Sequence, residues 1–168
     1  MHTIALSATD VGQRRQHNED RFCVNAELGL YAVADGMGGH AKGEVAAQLA
    51  VDTVERYVSE RQDDLDRVRD NNDTEGLVTL ARNAAHAACA AVFRAGRERA
   101  SQSGMGCTLS FILVVDGTAA LAHIGDSRVY LLRGGSVEQL SQDHTYAAEM
   151  LRSGSIDRGR NIGTSEFS

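Results

Sequence analysis

Apolar and polar residues alternate in short runs over the first third of the chain. Thr3 to Thr9, Phe22 to Ala26 and Leu30 to Ala34 each read as a strand, and the last of them stops abruptly at Asp35-Gly36. From Lys42 the period changes: Ala46, Leu49, Ala50, Thr53, Val54, Tyr57 and Val58 share one face at helical spacing. The stretch Asp63 to Asp73, charged and rich in Asn and Asp, reads as a connection. Thr74-x-x-Leu77 then opens a second helix whose face carries Leu77, Leu80, Ala81, Ala84, Ala88 and Ala91. After the breaker Ser101 to Gly106 the strand pattern returns in Cys107 to Val115, Ala119 to Ile124, Val129 to Leu132 and Val137 to Leu140. Turns are expected at Asp116-Gly117 and Arg133-Gly134-Gly135. Two consecutive helices between blocks of hairpin-linked strands predict an α+β layered fold rather than a doubly wound parallel sheet. A short helix over Thr145 to Arg152 closes one expected domain, residues 1–156, and residues 157–168 read as an irregular tail.

Composition narrows the function classes. With 168 residues, 42% of them hydrophobic and 24% charged, the chain can bury one core. A formal net charge of -6 repels polyanions, which argues against a nucleic-acid backbone or an anionic membrane surface as the main partner. Cys23, Cys89 and Cys107 are widely spaced, so neither a disulfide framework nor a thiolate zinc site is expected. The first ten residues lack the basic flank and apolar run of a signal peptide, and the apolar stretch around Phe111 to Val115 is too short for a bilayer span. A soluble cytoplasmic protein is expected.

Several segments carry candidate chemistry, each with a plainer alternative. Asp35-Gly36-Met37-Gly38-Gly39 places a carboxylate at a strand end beside glycines that let backbone carbonyls approach a hard cation. It also suits a tight turn in which the Asp caps the next segment. Gly36-x-Gly38-x-x-Ala41 matches a relaxed dinucleotide fingerprint. Against that reading, Asp35 would repel a pyrophosphate, and no acidic residue ends a second parallel strand. Arg15 with Glu19 and Asp20 combines a phosphate-binding guanidinium with metal-binding carboxylates, or forms a solvated ion pair. Asp126 in Gly125-Asp126-Ser127-Arg128 follows an apolar strand as Asp35 does, and three acidic strand ends in one domain form a metal-site pattern. His123 alternates with apolar neighbours and reads as a core histidine. His144 reads as a local turn bond, and His40 is the histidine placed for proton donation.

The order of these signals is specific. Arg15-Gln16-His17-Asn18-Glu19-Asp20, Val33-Ala34-Asp35-Gly36-Met37-Gly38-Gly39, Gly106-Cys107-Thr108, Gly125-Asp126-Ser127-Arg128 and Gln142-Asp143-His144-Thr145 follow one another between Ala8 and Ile156. The series resembles the metal-dependent protein phosphatase family, the type 2C serine/threonine phosphatases, and particularly its bacterial branch. The resemblance implies an antiparallel β-sandwich flanked by helices, holding two Mg2+ or Mn2+ ions and a weaker third, with a metal-bridging water that attacks phosphorus. It further implies that Asp35 bridges both ions and that Gly36 lends a carbonyl. Glu19 and Asp20 would bind one ion directly or through water, Arg15 would clamp the phosphate, and Asp126 would serve the third ion. The implied partners are phosphorylated proteins modified by a cognate serine/threonine kinase. Met37 stands where many eukaryotic members carry a histidine proposed as general acid. The family's later Asp-Gly and Asp-Asn motifs have no counterpart in these 168 residues, and the pattern is left near Asp157. The expected sandwich therefore lacks its C-terminal strands. Two functions stay open: phosphoserine and phosphothreonine hydrolysis, or a catalytically inactive module that binds phosphoproteins.

Overall fold

A computed structural model describes residues 3–38, 42–98 and 102–153. Seven strands and four helices follow in the order β1 (Asp20–Asn25), β2 (Leu30–Met37), α1 (Lys42–Ser59), α2 (Gln62–Asn71), α3 (Thr74–Glu98), β3 (Gly106–Cys107), β4 (Leu109–Val115), β5 (Thr118–Ile124), β6 (Tyr130–Arg133), β7 (Ser136–Gln139) and α4 (Tyr146–Arg152). Every strand pair is antiparallel. One five-stranded sheet runs β1-β2-β4-β5, with β3 prolonging β4 along β2, and β6-β7 forms a separate hairpin. The fold is thus α+β and antiparallel, as the chain pattern and the family resemblance imply.

The pleat decides what each face does. Along β2, Leu30, Ala32, Ala34 and Gly36 are buried under the helices, while Val33, Asp35 and Met37 point the other way and are exposed. On the helix side Leu30, Phe111 and Leu113 meet Val54, Val58 and Leu77 in one apolar cluster. Alanines on both helices, among them Ala46, Ala47, Ala50, Ala81, Ala84 and Ala88, let α1 and α3 approach closely. Among the described residues α3 is the one helix long and apolar enough to cross a bilayer, but here its apolar stripe packs against α1 and β5. On the opposite face of the sheet Phe22, Val24 and Val33 are exposed.

The turns follow from residue type. Asp116 and Gly117 both adopt positive φ, as do Gly134 and Gly135, the geometry that two-residue hairpins demand. Two expectations differ from the structure. The stretch Asp63 to Asp73 is largely helical: Leu65 and Val68 anchor α2, Arg67–Asp64 and Arg69–Asp66 pair one turn apart, and Asn72 ends it in the left-handed region. Thr3 to Thr9 forms no strand; Ile4 and Leu6 are 80% and 96% exposed, and no described strand pairs with the segment. A strand without a partner leaves its backbone to water, so alternation alone does not make one. The tail from Gly154 onward, including the expected irregular segment, lies outside the described residues.

Candidate active site

The β1-β2 register puts Asp20 directly opposite Asp35. Directly paired residues send their side chains to the same face, so both carboxyls stand together on the side away from the helices. Asp35 titrates above its usual value of 3.8, first because burial disfavours its charge and then because Asp20 repels it; Arg15 opposes the shift, while a hydrogen bond to Asp20 and, least of all, the charge of Asp126 add to it. Three of the residues singled out in the sequence, Arg15, Asp20 and Asp126, therefore act on the charge of a fourth, Asp35. Arg15 is exposed and forms no ion pair among the described residues.

Backbone contacts hold Asp35 in place. Gly36 donates its N–H to the Glu19 carbonyl at 3.2 Å, prolonging the β1-β2 ladder. On the other side the register continues from β4 into β3, with one exception at Thr108. Its N–H donates to the Asp35 carbonyl at 2.8 Å, but the Asp35 N–H donates to the Thr108 hydroxyl at 2.9 Å. Gly36 is also where β2 touches α1. A Cβ there would stand 2.7 Å from the Glu19 carbonyl oxygen and nearer still to the Gly43 carbonyl, and a Cβ on Gly43 would come within 2.8 Å of the Glu19 carboxyl carbon. The Glu19 carboxyl thus lies against the first turn of α1, where the helix dipole favours it. Arg21 pairs with Glu44 of the same turn and donates to the carbonyls of Asn18 and Asp20, so its charge is already engaged.

A second set of contacts fixes the turn that carries Asp126. His123 Nδ1 lies 2.8 Å from the Ser110 hydroxyl, and its Nε2 lies 3.0 Å and 3.1 Å from the carbonyls of Gly125 and Gln142. The ring is fully engaged, as expected of a core histidine. His144 does more than close a local turn: its backbone N–H donates to the Gly125 carbonyl at 2.7 Å, and its Nδ1 accepts from the Gly125 N–H at 3.3 Å. Arg128 grips Asp143 in a bidentate pair, Nε to Oδ1 at 3.0 Å and Nη2 to Oδ2 at 2.7 Å. The Gln142-Asp143-His144 segment is therefore a brace for the Gly125–Arg128 turn.

Between these walls lies a cleft of about 250 Å³ lined by Thr9, Asp20, Arg21, Asp35 and Ser127. Its donor set suits a hard cation: burial and then the facing Asp20 charge make Asp35 resist ionisation, Arg15 offsets this only in part, and oxygen ligands favour Mg2+ or Mn2+. Among the described residues no three His, Cys, Asp or Glu side chains are close enough to cage an ion. The Asp20–Asp35 edge instead matches an ion that keeps most of its waters and takes one or two carboxylates. Of the expected site residues, Asp20 and Asp35 line the cleft, while Arg15, Glu19, Gly36 and Asp126 are not part of its lining. His40 and Gly39 lie outside the described residues.

Residues 9–157 match the family model for protein phosphatase 2C. The chain belongs to the protein phosphatase 2C family. Protein phosphatase PhpP of Streptococcus pneumoniae is 34% identical over 152 residues, which span 88% of this chain and 58% of that protein. Serine/threonine protein phosphatase PstP of Mycobacterium tuberculosis is 37% identical over 148 residues, 88% of this chain and 26% of that one. The catalytic domain of PstP in complex with two manganese ions superposes with a TM-score of 0.68 at 34% identity, covering 88% of this chain and 58% of that one. This family member thus spans little more than half the length of the curated PhpP.

Sequence reasoning missed Gly43, Thr108 and Ser127 as parts of the site. Gly43 left one signal, since glycine in the first turn of an α-helix is poor helix-forming chemistry unless something must approach closely. Thr108 was legible only as a member of the ordered motifs.

Proposed function

We propose that this chain is a divalent-cation-dependent protein phosphatase module acting on phosphoserine and phosphothreonine in the cytoplasm, opposite a serine/threonine kinase. The observation that carries this reading is the cross-strand pair Asp20–Asp35, in which burial and then the Asp20 charge raise the Asp35 titration, with the charge of an unpaired Arg15 guanidinium acting on Asp35. Asp20 and Asp35 would hold Mg2+ or Mn2+, Gly36 would lend its carbonyl, and Glu19 would act through water. Asp126 would serve a weaker third site. A cation bound there supplies an activated water and neutralises phosphate oxygens. Arg15 binds the phosphate through its forked N–H groups and orients it. In the reaction a water oxygen bonds to phosphorus, the ester P–O bond breaks, and the departing seryl or threonyl oxygen takes a proton. No histidine among the described residues lines the cleft, so no described imidazole is placed to give that proton. The relatives' names support turnover over phosphoprotein binding alone.

The test is Mn2+-dependent hydrolysis of p-nitrophenyl phosphate and of a phosphothreonine peptide, with Asp35→Ala as control. Turnover lost in the variant is the expected result. A folded sample that binds the phosphopeptide in a calorimeter without releasing phosphate would replace catalysis by recognition.

A further inference from the structure

Thr108 belongs neither to the acidic pair nor to the phosphate clamp, yet it is 5% exposed and its hydroxyl sits at the junction of both walls of the cleft. Thr108 Oγ1 accepts the Asp35 N–H and stands 2.7 Å from Ser127 Oγ. Each hydroxyl has one hydrogen to give. If Ser127 gave its hydrogen to Thr108, the threonine would accept twice and its own hydrogen would be buried with no described acceptor, an arrangement that folded proteins avoid. Donation from Thr108 to Ser127 satisfies the buried group. The bonds then run in one direction, from Asp35 N–H to Thr108 O–H to Ser127 O–H, and the Ser127 hydrogen is the end of the chain.

Ser127 is half-buried and lines the cleft. The other donors there are engaged: Thr9 lies within hydrogen-bonding distance of Asp20 at 3.4 Å, and Arg21 is held by Glu44 and two carbonyls. Of the two hydroxyls that line the cleft, Thr9 and Ser127, that of Ser127 is the one whose hydrogen has no described acceptor. We propose that Ser127 donates this hydrogen to a non-bridging phosphate oxygen of the substrate, and that Thr108 is the positioning residue that turns it toward the cleft. The proposal rests on the phosphatase reading. Thr108 has a second, separable job, because its methyl seats Gly125: a Cβ on Gly125, whose φ is +104°, would meet Thr108 Cγ2 at 2.7 Å.

Two substitutions separate the jobs. Thr108→Val keeps the methyl and loses the hydroxyl; Thr108→Ser does the reverse. In the full chain with Mn2+ present, binding of inorganic phosphate is followed by calorimetry, and exchange of the Asp35 amide hydrogen is followed by NMR. Ser127→Ala and Thr108→Val should each weaken phosphate binding by about tenfold, the scale of one hydrogen bond to a charged group. Their combination should add little to either, and Thr108→Ser should stay within about twofold of the parent. The Asp35 amide should exchange faster in Thr108→Val alone. Phosphate affinity unchanged in Ser127→Ala would overturn the donor role, and a Thr108→Ser variant as weak as Thr108→Val would reduce Thr108 to packing. An Asp35 amide that exchanges equally in all variants would remove the relay, whatever phosphate does. A parent chain that binds no phosphate with Mn2+ present sinks the phosphatase reading itself, an outcome separate from parent and Ser127→Ala binding it equally.

Discussion

Adding a single methyl group at Gly36 should loosen the fold from within the site. The φ of Gly36 lies outside the left-handed region, so Gly36→Ala brings no backbone strain and its cost is steric. The new Cβ would stand 2.7 Å from the Glu19 carbonyl oxygen and closer to the Gly43 carbonyl. Both obstacles are backbone and cannot rotate aside, so α1 must withdraw by about 1 Å to restore ordinary contact distances. That movement opens the interface where Ala46, Ala47, Ala50 and Val54 are buried. Overpacking of this kind costs about 1–3 kcal/mol, and with no side chain able to yield the upper end applies. For a chain of this size each kcal/mol moves the midpoint by about 2–4 °C, so Tm should fall by about 6–12 °C. Thermal unfolding followed by circular dichroism measures it. Gly96→Ala, in α3 with its nearest atom at 3.6 Å, is the control of opposite sign and should gain about 0.5–1 kcal/mol. A Gly36→Ala midpoint within about 2 °C of the parent would refute the close-contact argument.

Other expectations can be checked on the same protein. Without metal, the raised Asp35 titration means that folding is favoured below 3.8 and loses that contribution as pH rises through the higher folded-state value; Asp35→Asn should therefore melt higher than the parent at neutral pH, and an equal Tm at every pH would contradict the cost of burying that charge beside Asp20. Asp143 has the opposite sign, because its bond to Arg128 lowers its titration: the contribution is present above 3.8 and is lost as pH falls through the lower folded-state value. Asp143→Asn should flatten that acid limb in a pH series of melts. His123→Leu removes partners from Ser110, which is 2% exposed, and from the Gln142 carbonyl, and should cost about 1–3 kcal/mol in urea unfolding. A cost below about 0.5 kcal/mol would mean that water takes over both bonds.

Legibility in the sequence tracked how local the determining interaction is. The turns at Asp116-Gly117 and Gly134-Gly135 were readable because positive φ is written in the residue types themselves. The α1 and α3 faces were readable because burial repeats every turn. The α2 helix was hidden because only Leu65 and Val68 are buried in it, too few for a period, while the rest is held by ion pairs. Thr3 to Thr9 misled because a strand needs a neighbour that the pattern of one segment cannot supply. At the site, Asp20 and Asp35 were legible as residue types in ordered motifs, but their facing arrangement depends on hairpin register. The bond between Thr108 and Asp35 spans 73 residues and that between Thr108 and Ser127 spans 19, so no local pattern announces either.

The hairpin that brings Asp20 and Asp35 together is closed by a four-residue turn, Ala26–Gly29. The turn itself costs little chain entropy to close, but Asp20 and Asp35 form the rung farthest from it, so five rungs of the ladder lie between the turn and the pair of charges. Two like charges thus oppose closure of the last rung of the hairpin. A divalent cation would relieve that repulsion during folding as well as afterwards. Refolding of this chain should accelerate when Mn2+ is added, making the ion a determinant of how fast the scaffold forms.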